Sequence, residues 1–391
     1  MQNNKYKTQT KLLMSKQSKT NSFVNPPILK GSTVKFKSIE NMRKSMKKKH
    51  TQLLTYGRFG SETTFKFEKA ISEFEEGYTT VATSSGTAAI VASLLSILRN
   101  GDHILVSDSV YGITKELSKN LLKKMGITTT FYNPLMREKI SKLIQKNTKA
   151  IFLESPGSLT FEVQDIPAIV DIAKKNKCIT IIDNTWATPL YFKPINFGID
   201  ISIQSATKYI IGHSDAMLGT ITTNKKYSKI IRETTHSLGS CPGPDEIYLG
   251  LRGLKTLGIR LEQHKENTFK LIEWLNKQKE VQNILYPAFS QFSGYKIWKR
   301  DFKGSSGLFG LTIKVNSDKK LNKMLNNLKL FSMGYSWGGY ESLILPVEPE
   351  KYRETYEWSK KQKTLRIHTG LEDVDDLIDD LKYGFKILRR K

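Results

Sequence analysis

The chain has 391 residues, 38% of them hydrophobic, enough to build a sizeable core in one large enzyme domain or two smaller ones. Its formal charge is +25, yet Lys and Arg are spread from end to end, with no zinc-finger spacing, RNP-like aromatic motif or basic-zipper heptads. Nucleic acid is therefore set aside as a partner, and no apolar run is long enough to span a bilayer.

The N-terminal stretch MQNNKYKTQTKLLMSKQSK is basic, carries no acidic residue before Glu40, and lacks the apolar core of a secretory signal. Residues 1–60 are expected to form an arm, with RKSMKKKH (Arg43–His50) as one solvated helical face. Cys178 and Cys241 form neither a CxxC pair nor a metal spacing. That argues against a disulfide framework and fits a reducing, cytoplasmic compartment.

From Thr79 onward strand and helix patterns alternate. Strands are expected at Thr79–Thr83, His103–Ser107, Ile127–Tyr132, Ala150–Ser155, Thr180–Asn184, Ile201–Ala206 and Met217–Thr223. Amphipathic helices are expected between them at Ala88–Leu98, Gly112–Met125 and Ile166–Asn176. Short apolar runs separated by helices imply βα units and a mostly parallel sheet of seven strands. A long helix at about Asp245–Lys277 follows, then strands at Gly307–Val315, Ser342–Val347 and Thr364–Thr369. The last helix, from Asp373, has Asp at its start and Lys/Arg at its end, as the helix dipole favours. The chain is thus read as an α/β protein, with a large domain over residues 61–254 and a smaller C-terminal α/β domain over residues 255–391.

In an open α/β sheet a ligand sits at the carboxyl ends of the strands. Four groups fall there: Asp183, ending one strand; Lys208, in SATKYIIGH just past the next; Tyr111, after HILVS; and the turn Ser84-Ser85-Gly86-Thr87 leading into a helix. Pyridoxal 5'-phosphate would use all four. It needs a lysine for its aldehyde, a carboxylate for its ring nitrogen, a face to stack on, and a helix N-terminus for its phosphate, where Ser205 and Thr207 could add hydroxyls.

The order and spacing of these residues resemble the Cys/Met-metabolism family of fold-type I pyridoxal-phosphate enzymes. The resemblance is carried by Tyr56-Gly57-Arg58, Ser85-Gly86-Thr87-Ala88, Asp183-Asn184-Thr185 and the Ser-x-Thr-Lys-x-x-x-Gly-His pattern of Ser205–His213. It implies that Lys208 joins the cofactor, Asp183 pairs with its ring nitrogen, and Tyr111 stacks on the ring and assists as a phenolate. It further implies that Gly86, Thr87, Ser205 and Thr207 hold the phosphate, with Tyr56 and Arg58 reaching the phosphate of a neighbouring subunit in a homotetramer of site-sharing dimers. Arg366 would grip the substrate's α-carboxylate in a bidentate pair, with Ser336 nearby. No metal is expected.

Within the family, GYSWGGYESLIL (Gly334–Leu345) is similar to the bacterial cystathionine β-lyase branch. Tyr335 and Trp337 stand where γ-acting relatives typically carry Glu and Leu. Ile113 replaces the cysteine that methionine γ-lyases tend to place two residues after the stacking tyrosine. The resemblance implies β-elimination of cystathionine. Cystathionine γ-synthase or γ-lyase activity stays open as an alternative, as do cysteine desulfhydrase and alanine racemase side reactions.

Overall fold

The structure is a computed structural model that describes residues 6–13, 24–47, 51–315, 317–355, 358 and 362–389. Its larger sheet has seven strands: β1 Thr79–Thr83, β2 His103–Ser107, β3 Thr128–Tyr132, β4 Thr148–Glu154, β5 Ile179–Asp183, β6 Ile201–Gln204 and β7 Gly219–Thr223, in the order β1-β7-β6-β5-β4-β2-β3. Pairing is parallel from β6 through to β3, and β7 runs antiparallel to both of its neighbours. β1, β2, β4, β5 and β6 therefore deliver their carboxyl ends to one edge of the sheet.

The sequence accounts for this layer. Strands β2, β5, β6 and β7 are buried along their whole length, and parallel strands covered on both faces read as continuous apolar or small-residue runs. Apolar clusters lie on both faces. One includes Ile104, Phe152, Ile181 and Ile203 packed with Ala89, Leu94 and Ile231; the other sets Leu105, Ile151 and Ile182 against Phe67, Ile169 and Leu254.

The smaller sheet is antiparallel, in the order β10-β11-β9-β8, from β8 Val281–Leu285, β9 Leu308–Ile313, β10 Leu343–Val347 and β11 Lys363–His368. β8 is an additional strand with no counterpart in the sequence reading. Its burial pattern has only two fully buried positions, Ile284 and Leu285, so the apolar signal is short. The long helix runs unbroken from Pro244 to Leu275, straight through the expected domain boundary at 254/255. The expected helix Gly112–Met125 is divided: an α-helix covers Gly112–Leu117, and a π-helical turn over Ser118–Leu122 follows. The helix Ile39–Lys47 buries no residue, as its basic composition implies; residues 48–50 of the expected basic face lie outside the described residues.

Two buried hydrogen bonds tie the layers together. Trp186 Nε1 donates to the Leu308 carbonyl at 2.9 Å, and the Gly307 N–H donates to Tyr209 Oη at 3.0 Å. Among the described residues no helix is long and apolar enough to cross a membrane.

Candidate active site

The carboxyl ends of adjacent strands β4 and β5 bring Glu154 and Asp183 into register as direct neighbours. Asp183 is almost fully buried. Its Oδ1 accepts from the Thr185 N–H at 2.9 Å and from Thr185 Oγ1 at 2.6 Å, while among the described residues nothing hydrogen-bonds to Oδ2. Burial pushes the Asp183 carboxyl up, opposed by the Thr185 bonds and by the charge of Lys208. Thr185 Oγ1 also accepts from the Ser205 N–H at 2.8 Å, coupling the end of β5 to the loop that carries the lysine.

That loop is a tight turn. Lys208 N–H donates to Ser205 O at 3.1 Å, and Gly212, at φ +75°, donates to Lys208 O at 2.8 Å. The buried Arg260, from the long helix, fixes the turn by donating to Tyr209 O at 2.8 Å and to Ile210 O at 3.4 Å. The Lys208 amine donates to Ser336 Oγ at 2.6 Å and lies 5.5 Å from the centre of the Trp337 ring. Burial, helped by the Arg366 charge and opposed by Asp183, lowers its pKa from 10.5 to about 8.

Arg366 projects from β11, in register between Leu345 and Gly310. Its Nη2 donates to the carbonyls of Gly334 at 3.2 Å and Ser336 at 2.9 Å. Among the described residues it has no carboxylate partner. Burial lowers its pKa, while the Tyr111 and Tyr335 phenols act the other way. A half-buried guanidinium that satisfies only part of its donor fork with carbonyls remains able to take a carboxylate. Tyr335 itself is 90% exposed.

Tyr111 caps the helix Gly112–Leu117, and its N–H donates to Glu154 Oε2 at 2.6 Å. Burial, Glu154 and Asp183 all push the phenol upward, with Arg366 opposing. These influences favour the protonated phenol. Glu154 was missed in the sequence. Burial and Asp183 raise its carboxyl well above the ordinary range, and its Oε2 buttresses the tyrosine by accepting from the Tyr111 N–H. Only its position, at the end of the strand beside Asp183, could have marked it.

At the end of β1, Ser85 caps the helix Gly86–Ile97 by accepting from the Ala88 N–H at 3.1 Å. A Cβ on Gly86 would sit 2.7 Å from Ser205 Cβ and Oγ, so the two segments can touch only because residue 86 is glycine. Thr87 follows in the first turn of that helix. Thr207 Oγ1 is engaged with Leu218, accepting from its N–H at 2.9 Å and donating to its carbonyl at 3.1 Å. It must give up the latter bond to donate elsewhere. Tyr56 and Arg58 stand apart: Arg58 donates to the His236 carbonyl and stacks on Phe59 at 4.4 Å, and no hydrogen bond joins either residue to the Lys208 group among the described residues. A cavity of about 470 Å³, bordered by Asn133, Phe289, Phe292 and Trp358, includes none of these residues in its lining.

These groups fit pyridoxal phosphate. The uncommitted Asp183 Oδ2 suits a protonated ring nitrogen, the Lys208 amine is about half neutral near pH 8, and the Gly86–Ser205 crossing leaves helix N–H groups for a phosphate. No set of three or more metal-ligating side chains occurs among the described residues.

Comparison with known proteins agrees. Cystathionine beta-lyase MetC of Escherichia coli K12 is 43% identical over 387 residues, covering 97% of this chain and 98% of that protein. A cystathionine gamma-lyase of Bacillus subtilis is 35% identical over 334 residues, 83% of this chain and 87% of its own. The crystal structure of metB from Corynebacterium glutamicum superposes with a TM-score of 0.90 at 26% identity, covering 99% of both chains. The family model described as Cys/Met metabolism PLP-dependent enzyme matches residues 9–386, and the chain belongs to that family of pyridoxal-phosphate-dependent enzymes.

Proposed function

We propose that the chain cleaves cystathionine by β-elimination, giving homocysteine, pyruvate and ammonia. The observation that carries this reading is the convergence of Lys208 and Arg366 on Ser336, in a loop whose Tyr335 and Trp337 resemble the β-eliminating branch. The higher identity to the β-lyase than to the γ-lyase supports it.

Bound pyridoxal phosphate supplies the electron sink for the carbanion that forms at the substrate's Cα. The protein's own groups do the rest. Arg366 would take the α-carboxylate on its free donors and so fix the orientation of the substrate's Cα bonds. Tyr111, protonated and half-exposed, supplies a stacking face. The Lys208 amine, neutral in a useful fraction near pH 8, removes the Cα proton while Ser336 Oγ holds the nitrogen in place. The Cβ–S bond then breaks, its electron pair leaves with sulfur, and the Lys208 ammonium returns the proton to the departing thiolate. Water converts the three-carbon remainder to pyruvate and ammonia.

Asp183 is assigned to the ring nitrogen, and Gly86, Thr87, Ser205 and Thr207 to the phosphate. Tyr56 and Arg58 are assigned to a neighbouring subunit's phosphate, in a homotetramer built from site-sharing dimers. The exposed Tyr56 and the position of Arg58 outside its own chain's site support that assignment. Both cysteines are free thiols, which suits a cytoplasmic enzyme. The test is thiol release from cystathionine. Wild-type protein releases it, and Lys208→Ala loses it by roughly a thousandfold or more while remaining folded; substantial release by that variant sinks the scheme.

A further inference from the structure

Strand β11 carries a second residue aimed at the loop that holds Ser336 and Trp337. His368 lies two positions after Arg366, and alternate residues of a strand share a face. It is 1% exposed. Its Nε2 accepts from the Gly338 N–H at 3.1 Å, and its Nδ1 faces the Glu341 carbonyl at 3.0 Å. A carbonyl can only accept, so Nδ1 bears the proton and Nε2 is the bare acceptor. The ring is neutral and in one tautomer.

The two contacts fall on either side of Gly339–Tyr340, and Arg366 holds the same loop at Gly334 and Ser336. β11 thus fastens the loop at four backbone points. Gly338, at φ +88°, rests on the lysine turn itself: a Cβ there would lie 2.9 Å from Tyr209 N and 3.0 Å from Lys208 Cα. Any slackening at Gly338 is passed to its neighbour Trp337 and to Ser336, whose hydroxyl meets the Lys208 amine. Ser336 also sits at φ +76°, a left-handed conformation costly for a residue with a side chain, so it needs fixed neighbours on both sides.

We propose that His368 is a positioning residue for the elimination reaction: through Gly338 and Glu341 it locks the loop that presents Ser336 to Lys208. This rests on the β-elimination reading for its assay, and a wild-type enzyme inactive on cystathionine would overturn that reading before the inference is reached.

The test is a double-mutant cycle on the cofactor-loaded enzyme, combining Ser336→Ala with His368→Ala, His368→Asn and His368→Gln. Asn keeps a donor for Glu341 but cannot reach Gly338; the longer Gln amide offers both a donor and an acceptor. The expected result is a loss of kcat/KM of about tenfold to a hundredfold in His368→Ala and His368→Asn, largely rescued in His368→Gln. The same loss should shrink to about threefold or less in the Ser336→Ala background, because the effect passes through that serine. If His368→Ala does not fold, the Asn and Gln variants carry the comparison. Equal loss in Gln and Asn, or losses that multiply independently of Ser336, would overturn the proposal.

Discussion

Lys208 and Arg366 are joined through a single residue: Ser336 Oγ accepts from the Lys208 amine at 2.6 Å, and its carbonyl accepts from Arg366 at 2.9 Å. The proton-transfer group and the carboxylate-binding group are thereby held at a fixed separation. Replacing Arg366 with Ala should remove the anchor for the α-carboxylate and loosen Ser336 as well. Steady-state kinetics should show KM for cystathionine rising and kcat/KM falling about a hundredfold or more. An unchanged kcat/KM would remove Arg366 from the site.

The lowered pKa of Lys208 has a consequence for cofactor uptake. Only the neutral amine attacks an aldehyde, and burial together with the Arg366 charge makes it available above about pH 8 in place of 10.5. The rate at which cofactor-free protein turns yellow with pyridoxal phosphate should therefore rise through a midpoint near 8. Removing the Arg366 charge should move that midpoint upward, since a nearby cation disfavours the ammonium. A midpoint that stays put in Arg366→Gln contradicts the electrostatic assignment.

Sharing of sites between subunits predicts complementation. Arg58→Ala and Lys208→Ala each damage a site, but if Arg58 serves the neighbour's phosphate both lesions fall in one site of a mixed dimer and leave the other intact. Refolding the two variants together should restore up to about a quarter of wild-type activity, because half the dimers are mixed and each has one intact site. No recovery would place Arg58 within its own subunit's machinery or outside the site altogether.

Glu75 lies at the far end of the helix Glu62–Glu75, fully buried beneath β6 and β7. Both carboxylate oxygens lack a hydrogen bond of normal geometry, although Ser202, Thr222 and Gln204 face them. Burial raises its pKa from 4.5 to about 7. A carboxyl raised on folding stays protonated in the folded state while the unfolded chain ionises, so stability falls as pH rises from about 4.5 to 7 and levels off above. Over that window the loss is about 3 kcal/mol. Glu75→Gln should melt higher than wild type at pH 8, with the gap closing near pH 5. A gap independent of pH would mean that Glu75 is ionised in the fold.

Much of the site was legible in the sequence because its chemistry is local to strand ends. Asp183, Lys208 and Tyr111 each follow an apolar run, and the exact strands Thr79–Thr83 and His103–Ser107 were set by runs with sharp polar or glycine borders. Arg366 stood out because a charge inside an apolar strand needs an anion. What the sequence left hidden depends on register across the sheet. Glu154 matters only because β4 pairs with β5 so that it meets Asp183. His368 matters only because β11 faces a loop that begins 34 residues earlier in the chain, and the engagement of Thr207 with Leu218 depends on how the lysine loop closes. None of these has a signature in spacing or periodicity.

The most direct measurement is the identity of the keto acid formed when the purified, cofactor-loaded protein is incubated with L,L-cystathionine. The account predicts pyruvate in equal amount with homocysteine. 2-Oxobutyrate accompanied by cysteine would show that the bond on the other side of sulfur is broken, and would contradict the β-elimination assigned to Lys208, Ser336 and Arg366.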